Sequence, residues 1–266
     1  MLRATPGANS LMADFENRAR KIKLILFDVD GVLTDGTLWF FPAPQSGLRP
    51  TDAQRAQLGD AAGFGILSQD MIEAKGFNAH DGTAISLARL GGLKTGMVTK
   101  RISETVAIRA RDLKIDYLFQ GAENKSEVLD KILAESGFDE EQIAYVGDDV
   151  IDLPIMRRCG LAIAVANARP QVKAMAHYET ASSGGHGAGR DAVEYILHAQ
   201  GTLEKVIEAY IHARTSIREQ YGDCEKPTLR DSSQQGSAAE ARENIVGFRG
   251  TAAEKTPRPR SIVRQR

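Results

Sequence analysis

The feature that most restricts the fold of this sequence is an alternation of short apolar runs with stretches of helical spacing, between residues 22 and 200. The apolar runs lie at 24–27, 96–99, 117–119, 143–147 and 161–165. The stretches with helical spacing lie at 83–90, 103–113, 126–135 and 153–158. Because strands covered on both faces are almost continuously apolar, this pattern predicts an α/β fold with a doubly wound parallel sheet.

Four segments do not follow that alternation. Residues 1–20 are predicted to be a loose leader, and residues 42–70, rich in proline and glycine, to be an insertion in a hairpin. An apolar stripe at helical spacing predicts a C-terminal helix over 201–213. Residues 214–266 are polar and predicted to be largely disordered, which leaves 21–200 as the folded domain.

Charge and cysteine content limit the environment and the partners of the chain. The formal net charge is −1, so no general attraction to nucleic acid or to an anionic membrane is expected. Cys159 and Cys224 have neither disulfide nor zinc-site spacing, and no apolar run is long enough for a signal peptide or a membrane helix. We therefore expect a cytoplasmic protein with a small-molecule partner.

Two carboxylates follow the first apolar run directly. Asp28 and Asp30, with Gly31 after them, come at the end of LILF, where parallel sheets bind their ligands. Paired carboxylates at such a place suit a divalent cation, one nucleophile and one proton donor. A simple turn at the strand end would account for the same residues.

A second acidic cluster follows another apolar run. Asp148, Asp149 and Asp152 come after the run at 143–147, and a third carboxylate near the first two would complete an oxygen-rich Mg²⁺ site. Asp152 could equally be a helix N-cap. Two acidic clusters at strand ends nevertheless favour a metal site over two unrelated turns.

Phosphoryl chemistry also requires donors and positive charge near the phosphate. Thr99 ends a predicted strand, with Lys100 and Arg101 after it, and Lys125 begins a predicted helix. Each residue taken alone would also fit a solvated surface position. Their placement at strand-to-helix junctions predicts a phosphate-binding role for Thr99 and Lys125.

Together these motifs resemble those of the haloacid dehalogenase superfamily, which are here DVDGVLTDG, Thr99, Lys125 and the GDD at 147–149. The resemblance implies that Asp28 is a nucleophile and that Asp30 is the general acid and base. It further implies that Mg²⁺ is held by Asp28, by the backbone carbonyl of Asp30 and by Asp148. A dehalogenase would not need the metal-binding aspartates, so they favour a phosphatase.

A narrower resemblance is to the 3-deoxy-D-manno-octulosonate 8-phosphate phosphatases, which supply a lipopolysaccharide precursor. It is carried by KGFNAHDG at 75–82, LFQGAENK at 118–125, YVGDDVIDLPIM at 145–156 and GGHGAGR at 184–190. It implies a homotetramer without a large cap domain, with a hairpin flap at 37–41 and 75–79 and a glycine-rich segment that reaches a neighbouring subunit. The implied substrate contacts are Asn78, His80, Asp81, Gly82, Arg101, Arg109 and Arg190.

Three positions depart from that family's pattern, namely Ser86, Lys100 and His186. They leave open a phosphatase for a nonulosonate 9-phosphate or another sugar phosphate. From other classes of protein, a phosphorylatable receiver module would have its acidic pair near the N-terminus, and not at 148–149. A non-catalytic oligomeric scaffold is the remaining alternative.

Overall fold

The computed structural model describes residues 6–42 and 71–221. Its strands are β1 (Leu24–Phe27), β2 (Trp39–Pro42), β3 (Met71–Ala74), β4 (Lys94–Val98), β5 (Tyr117–Phe119), β6 (Ile143–Gly147), β7 (Leu161–Ala164) and β8 (Tyr178–Glu179). Its helices are α1 (Pro6–Lys21), α2 (Ala79–Leu90), α3 (Glu104–Leu113), α4 (Lys125–Ser136), α5 (Leu153–Met156), α6 (Pro170–Met175), α7 (Ala188–Ala199) and α8 (Leu203–Tyr221).

Six strands form one parallel sheet in the order β5-β4-β1-β6-β7-β8. Helix α2 packs against α7, α7 also contacts α1, and α4 packs against α5. The strand order turns in both directions from β1, as a doubly wound sheet requires. The predicted fold class, a doubly wound parallel sheet with a short hairpin, is therefore confirmed.

The centre of the sheet is buried on both faces. Every residue of β1 is fully buried, and so is every residue of β7. Leu, Ile and Ala side chains dominate these strands because neither face meets water. The continuous apolar runs of the sequence therefore have a direct structural cause.

The hairpin is shifted from its predicted position. It pairs β2 with β3 in antiparallel register, whereas strands were expected at 37–41 and 75–79. Residue 79 begins α2 instead, because the Asn78 side chain caps that helix by accepting from the backbone N–H of His80 at 2.8 Å. The insertion predicted at 42–70 lies outside the described residues except for Pro42, which ends β2.

Both ends of the domain differ from expectation. The leader expected to be loose is helical over α1, and Ala19 at its end is fully buried in the core. The C-terminal helix was expected over 201–213, but α8 runs eight residues further. Residues 222–266 are not among those described, so their predicted disorder stays a prediction. No helix in the described part of the chain is long and apolar enough to cross a membrane.

Candidate active site

The strand register brings the predicted chemical residues to one edge of the sheet. Phe27 pairs with Val146 and with Met97, so Asp28 lies beside the end of β6 and beside the end of β4. Asp148 follows β6 directly, and Thr99 follows β4 directly. Carboxyl ends of parallel strands meet at the same edge, which is where α/β proteins bind their ligands.

Lys125 is the cation at the centre of this edge. It begins α4, behind Asn124, whose side chain caps the helix by accepting from Ser126 N–H at 3.1 Å. Its side chain is 1% exposed, and its Nζ lies 2.9 Å from Asp28 Oδ1 and 2.6 Å from Asp152 Oδ1. The structure thus brings Lys125 against the proposed nucleophile.

Asp152 connects this cation to the acidic loop. Its Oδ1 accepts from Lys125 and from the Tyr145 hydroxyl, the latter at 2.7 Å. Its Oδ2 accepts from the backbone N–H groups of Asp148 at 2.9 Å and Asp149 at 3.2 Å. Asp152 does stand at the N-cap position of α5, but its carboxylate makes no cap hydrogen bond to that helix; it orders the acidic loop and pairs with Lys125 instead.

Gly31 permits the two acidic clusters to meet. Its φ is +95°, a conformation that L side chains rarely adopt, and a Cβ there would lie 2.2 Å from Asp148 Oδ2. The backbone after Asp28 and Asp30 therefore touches the Asp148 carboxylate. This contact explains why a glycine follows the two aspartates.

The electrostatics of the site indicate a missing positive charge. Burial raises the pKa of Asp28 to about 7, although Lys125 opposes the shift. Burial, together with Asp28, raises the pKa of Asp148 to about 8. Burial works against the charge of Lys125, but Asp28 and Asp152 outweigh it and raise its pKa. Three carboxylates thus surround one ammonium group.

A divalent cation fits this surplus of negative charge. Oxygen atoms of Asp28, Asp148 and Asp152 lie within 4.8 Å of one another. Asp148 Oδ1 is buried with no hydrogen-bond partner among the described residues, as expected of an oxygen reserved for a ligand. Because both oxygens of Asp152 already accept hydrogen bonds, Asp28 and Asp148 are the better metal ligands.

Asp30 has a partner that the sequence analysis did not single out. The fully buried Lys75 ammonium contacts Asp30 Oδ1 and lies 3.6 Å from Glu73 Oε1. The other Glu73 oxygen pairs with Arg101 at 3.0 Å. Lys75 had been assigned only to the hairpin, since nothing in its sequence spacing shows that it turns inward.

Thr99 and Arg101 lie together beyond β4. Thr99 is 1% exposed, and its hydroxyl accepts from the backbone N–H of Arg101 at 3.2 Å. Arg101 Nε is buried without a partner in the described part of the chain. The phosphate contact predicted for Thr99 and the substrate contact predicted for Arg101 stay predictions.

The residues predicted to contact substrate in and around α2 lie on two sides of that helix. Gly82 faces Arg109 on α3, and Asp81 faces the start of α7. Arg109 lies with its guanidinium 5.6 Å from the centre of the Phe77 ring, and a Cβ on Gly82 would be 2.6 Å from its Nη2. His80 is exposed in the first turn of α2. Asp81 is 3% exposed and accepts from the backbone N–H of Arg190 at 3.0 Å, at the start of α7.

Asp81 therefore faces a helix terminus instead of an open cleft. Burial raises its pKa, against the effect of the backbone N–H groups that it accepts from. Arg190 itself pairs with Glu194 one turn along α7, at 2.5 Å. The substrate contacts predicted for Asp81 and Arg190 stay predictions, and this placement gives them no support.

The glycine-rich segment packs on its own chain. A Cβ on Gly184 would lie 1.7 Å from the Gly31 carbonyl oxygen, and Gly185 N–H donates to Val32 O at 2.9 Å. Asn78 also holds it, by donating to Gly185 O at 3.2 Å. Within one chain, the segment thus supports the loop that carries Asp28 and Asp30.

Comparison with known proteins agrees with this geometry. A model of haloacid dehalogenase-like hydrolases matches residues 99–190. The 3-deoxy-D-manno-octulosonate 8-phosphate phosphatase of Escherichia coli strain K12 is 33% identical over 193 residues, covering 73% of this chain and 88% of the relative. A probable phosphatase from Pseudomonas syringae is 42% identical, with a TM-score of 0.62 over 75% of this chain and 98% of that structure.

A third relative was solved with ligands. It is the 3-deoxy-D-manno-octulosonate 8-phosphate phosphatase of Moraxella catarrhalis, in complex with magnesium, phosphate and KDO. It is 30% identical, with a TM-score of 0.62 over 75% of this chain and 99% of that structure. The fold and the acidic edge thus define a hydrolase of the haloacid dehalogenase type. Within that class, the chain belongs to the family of 3-deoxy-D-manno-octulosonate 8-phosphate phosphatases.

Proposed function

We propose that this enzyme is a Mg²⁺-dependent phosphatase that hydrolyses 3-deoxy-D-manno-octulosonate 8-phosphate through an aspartyl-phosphate on Asp28. The observation that carries the proposal is the buried arrangement of Asp28, Asp148 and Lys125 at the end of β1. A nucleophile, a cation for the phosphoryl group and ligands for a divalent metal are all present there.

The chain's own residues account for each proton and bond. An oxygen of Asp28 attacks phosphorus, and the bond from phosphorus to the sugar oxygen breaks. Asp30 gives its proton to that oxygen, then takes a proton from the water that attacks the aspartyl-phosphate, so that the bond from phosphorus to Asp28 breaks and inorganic phosphate leaves. Lys125 and Thr99 hold the oxygens of the transferring group. Asp28, Asp148 and the carbonyl of Asp30 would hold Mg²⁺, which would supply charge stabilisation.

The substrate assignment is supported by the family and by unused donors. Arg101 and Arg109 each have a buried Nε–H with no acceptor among the described residues. A sugar acid phosphate carries two anionic groups, one at each end, and guanidinium groups suit both. Asn78 and His80, at the start of α2, lie beside the glycine-rich segment, whereas Gly82 faces Arg109 on α3.

We also propose that the enzyme is a cytoplasmic homotetramer. Trp39, Phe41 and Ile72 on the hairpin are each about half exposed in the single chain. Val150 and Ile151, directly after the acidic pair, are exposed as well. Apolar side chains grouped in this way favour contact with another subunit. The free, buried Cys159 thiol is consistent with a reducing compartment.

A substrate panel tests the proposal. Mg²⁺-dependent phosphate release should be measured for 3-deoxy-D-manno-octulosonate 8-phosphate, nonulosonate 9-phosphates and simple hexose phosphates. We expect kcat/KM for the eight-carbon acid to exceed that for hexose phosphates by at least about a hundredfold, because contacts to the carboxylate end add binding energy. We expect it also to exceed that for the nine-carbon acids, whose carboxylate lies one carbon further from the phosphate. Preference for a nine-carbon acid would identify the enzyme as a nonulosonate 9-phosphate phosphatase. Absence of phosphate release from every substrate would favour the non-catalytic scaffold.

A further inference from the structure

Tyr145 is a buried residue whose hydroxyl forms hydrogen bonds with Lys125 and Asp152 of the candidate active site. It belongs to β6 and is fully buried, three residues before Asp148. Its hydroxyl accepts from Lys125 Nζ at 2.9 Å and donates to Asp152 Oδ1 at 2.7 Å. A buried phenol needs such partners, but these partners are the ones that hold the phosphoryl-binding cation.

The Lys125 ammonium has three partners in this arrangement. It donates hydrogen bonds to Asp152 Oδ1 and to the Tyr145 hydroxyl, and it forms an ion pair with Asp28 Oδ1 at 2.9 Å. Two of these partners are carboxylates, and Tyr145 is the neutral one. The three directions together fix the ammonium at the end of a flexible four-carbon stem.

Asp152 cannot replace the phenol. Its Oδ1 already receives Lys125 and Tyr145, and its Oδ2 receives two backbone N–H groups of the acidic loop. Without the hydroxyl, one N–H of Lys125 would lose its acceptor. Attraction to Asp148, whose charge acts on Lys125 and whose Oδ1 has no hydrogen-bond partner among the described residues, would then draw the ammonium away from Asp28.

We propose that Tyr145 is a positioning residue that holds the Lys125 ammonium against Asp28 and directs it to the transferring phosphoryl group. This inference rests on the proposed function for its kinetic consequence. Its structural consequence, the place of the Lys125 ammonium, does not depend on any substrate. Tyr145 touches neither substrate nor metal in this scheme, and acts only through Lys125.

The kinetic test compares Tyr145→Phe with wild type and with Tyr195→Phe. The control removes a phenol from a stacked tyrosine pair on α7 and β8, away from the acidic edge. We expect Tyr145→Phe to lower kcat by roughly 10- to 100-fold with KM within about twofold, as for a lost hydrogen bond to a charged group. Equal kcat in Tyr145→Phe and wild type would overturn the inference, and so would a loss confined to thermal stability.

A crystal structure of Tyr145→Phe provides a readout that needs no activity. We expect Lys125 Nζ to leave its position 2.9 Å from Asp28 Oδ1. An ammonium still in that position would overturn the inference whatever the kinetics. If wild type releases no phosphate at all, the proposed function fails, while this structure still decides the role of Tyr145.

Discussion

At the scale of single residues, the site depends on a few contacts that tolerate no added atom. Gly31 is the clearest case, because its backbone touches the Asp148 carboxylate and has a positive φ. Asp28 and Asp148 are sensitive in another way, because burial raises the pKa of both carboxyl groups. Each feature predicts a measurable failure of metal binding.

Gly31→Ala should abolish Mg²⁺ binding and phosphatase activity. The added Cβ would lie 2.2 Å from Asp148 Oδ2, so that carboxylate must move. Gly92→Ala is the matched control, because Gly92 has a φ of +83° but no atom within 4 Å of the added Cβ. Both variants should lose about 1–2 kcal/mol of stability from backbone strain. Full Mg²⁺-dependent activity in Gly31→Ala would contradict the proposed contact.

Stabilisation by Mg²⁺ should increase with pH between 6 and 8.5. In the metal-free fold Asp28 and Asp148 keep protons up to pH about 7 and about 8, whereas in the unfolded chain they ionise near 4. The metal-free protein therefore loses stability as pH rises from about 4 to about 8. Mg²⁺ must displace the protons, so its apparent affinity should fall roughly tenfold per unit between pH 8 and 7, where one ligand is protonated, and roughly a hundredfold per unit below pH 7, where both are.

Thermal melts with Mg²⁺ and with chelator at several pH values measure this effect. Asp148→Asn is the control, since it removes one of the two titrating ligands and should flatten the dependence. A Mg²⁺-induced shift in Tm that is the same at pH 6 and pH 8.5 in wild type would be inconsistent with protonated ligands in the metal-free site.

At the scale of elements, the hairpin and the glycine-rich segment both attach to the loop after β1. Strand β3 is tied by Glu73 to Arg101 at 3.0 Å, and by the Glu73 carbonyl to Thr105 Oγ1 at 3.1 Å. Lys75, just after β3, reaches Asp30. The position of the hairpin and the position of the proposed acid are therefore linked by ion pairs.

Glu73→Gln should loosen the hairpin without affecting the sheet. It removes the charge that pairs with Arg101 and Lys75, both partly or fully buried, and should cost roughly 1 kcal/mol of local opening free energy. Amide hydrogen exchange should become about fivefold faster in 71–74. Glu141→Gln, which loses an exposed pair with Lys21, is the control. Unchanged exchange at 71–74 would mean that these pairs do not anchor the hairpin.

The element scale also shows where sequence reasoning succeeds. The sheet was predictable because strands buried on both faces produce continuous apolar runs, and Asp28 and Asp148 were predictable because they follow two such runs. Lys75 and Tyr145 were not, because their roles depend on side chains that enter the site from a hairpin and from inside a strand. The α1 helix was missed because its buried contact, through Ala19, is with distant parts of the chain.

At the scale of the whole molecule, the exposed apolar hairpin requires an explanation. Trp39 is 57% exposed and Phe41 51% exposed, on a two-stranded element with no further sheet to pack on among the described residues. We expect a mass in solution of about four times the 28.9 kDa chain by light scattering. Trp39→Ser with Phe41→Ser should lower that mass. A wild-type mass of one chain would contradict the tetramer.

The most direct test of the central claim is Mg²⁺-dependent phosphate release by Asp28→Asn. The variant keeps the shape of the side chain but removes the nucleophilic carboxylate, and Asp112→Asn on the exposed face of α3 is the control. With 3-deoxy-D-manno-octulosonate 8-phosphate, we predict a loss of at least about a thousandfold for Asp28→Asn and none for Asp112→Asn. Release by Asp28→Asn at the wild-type rate would contradict an aspartyl-phosphate at this position.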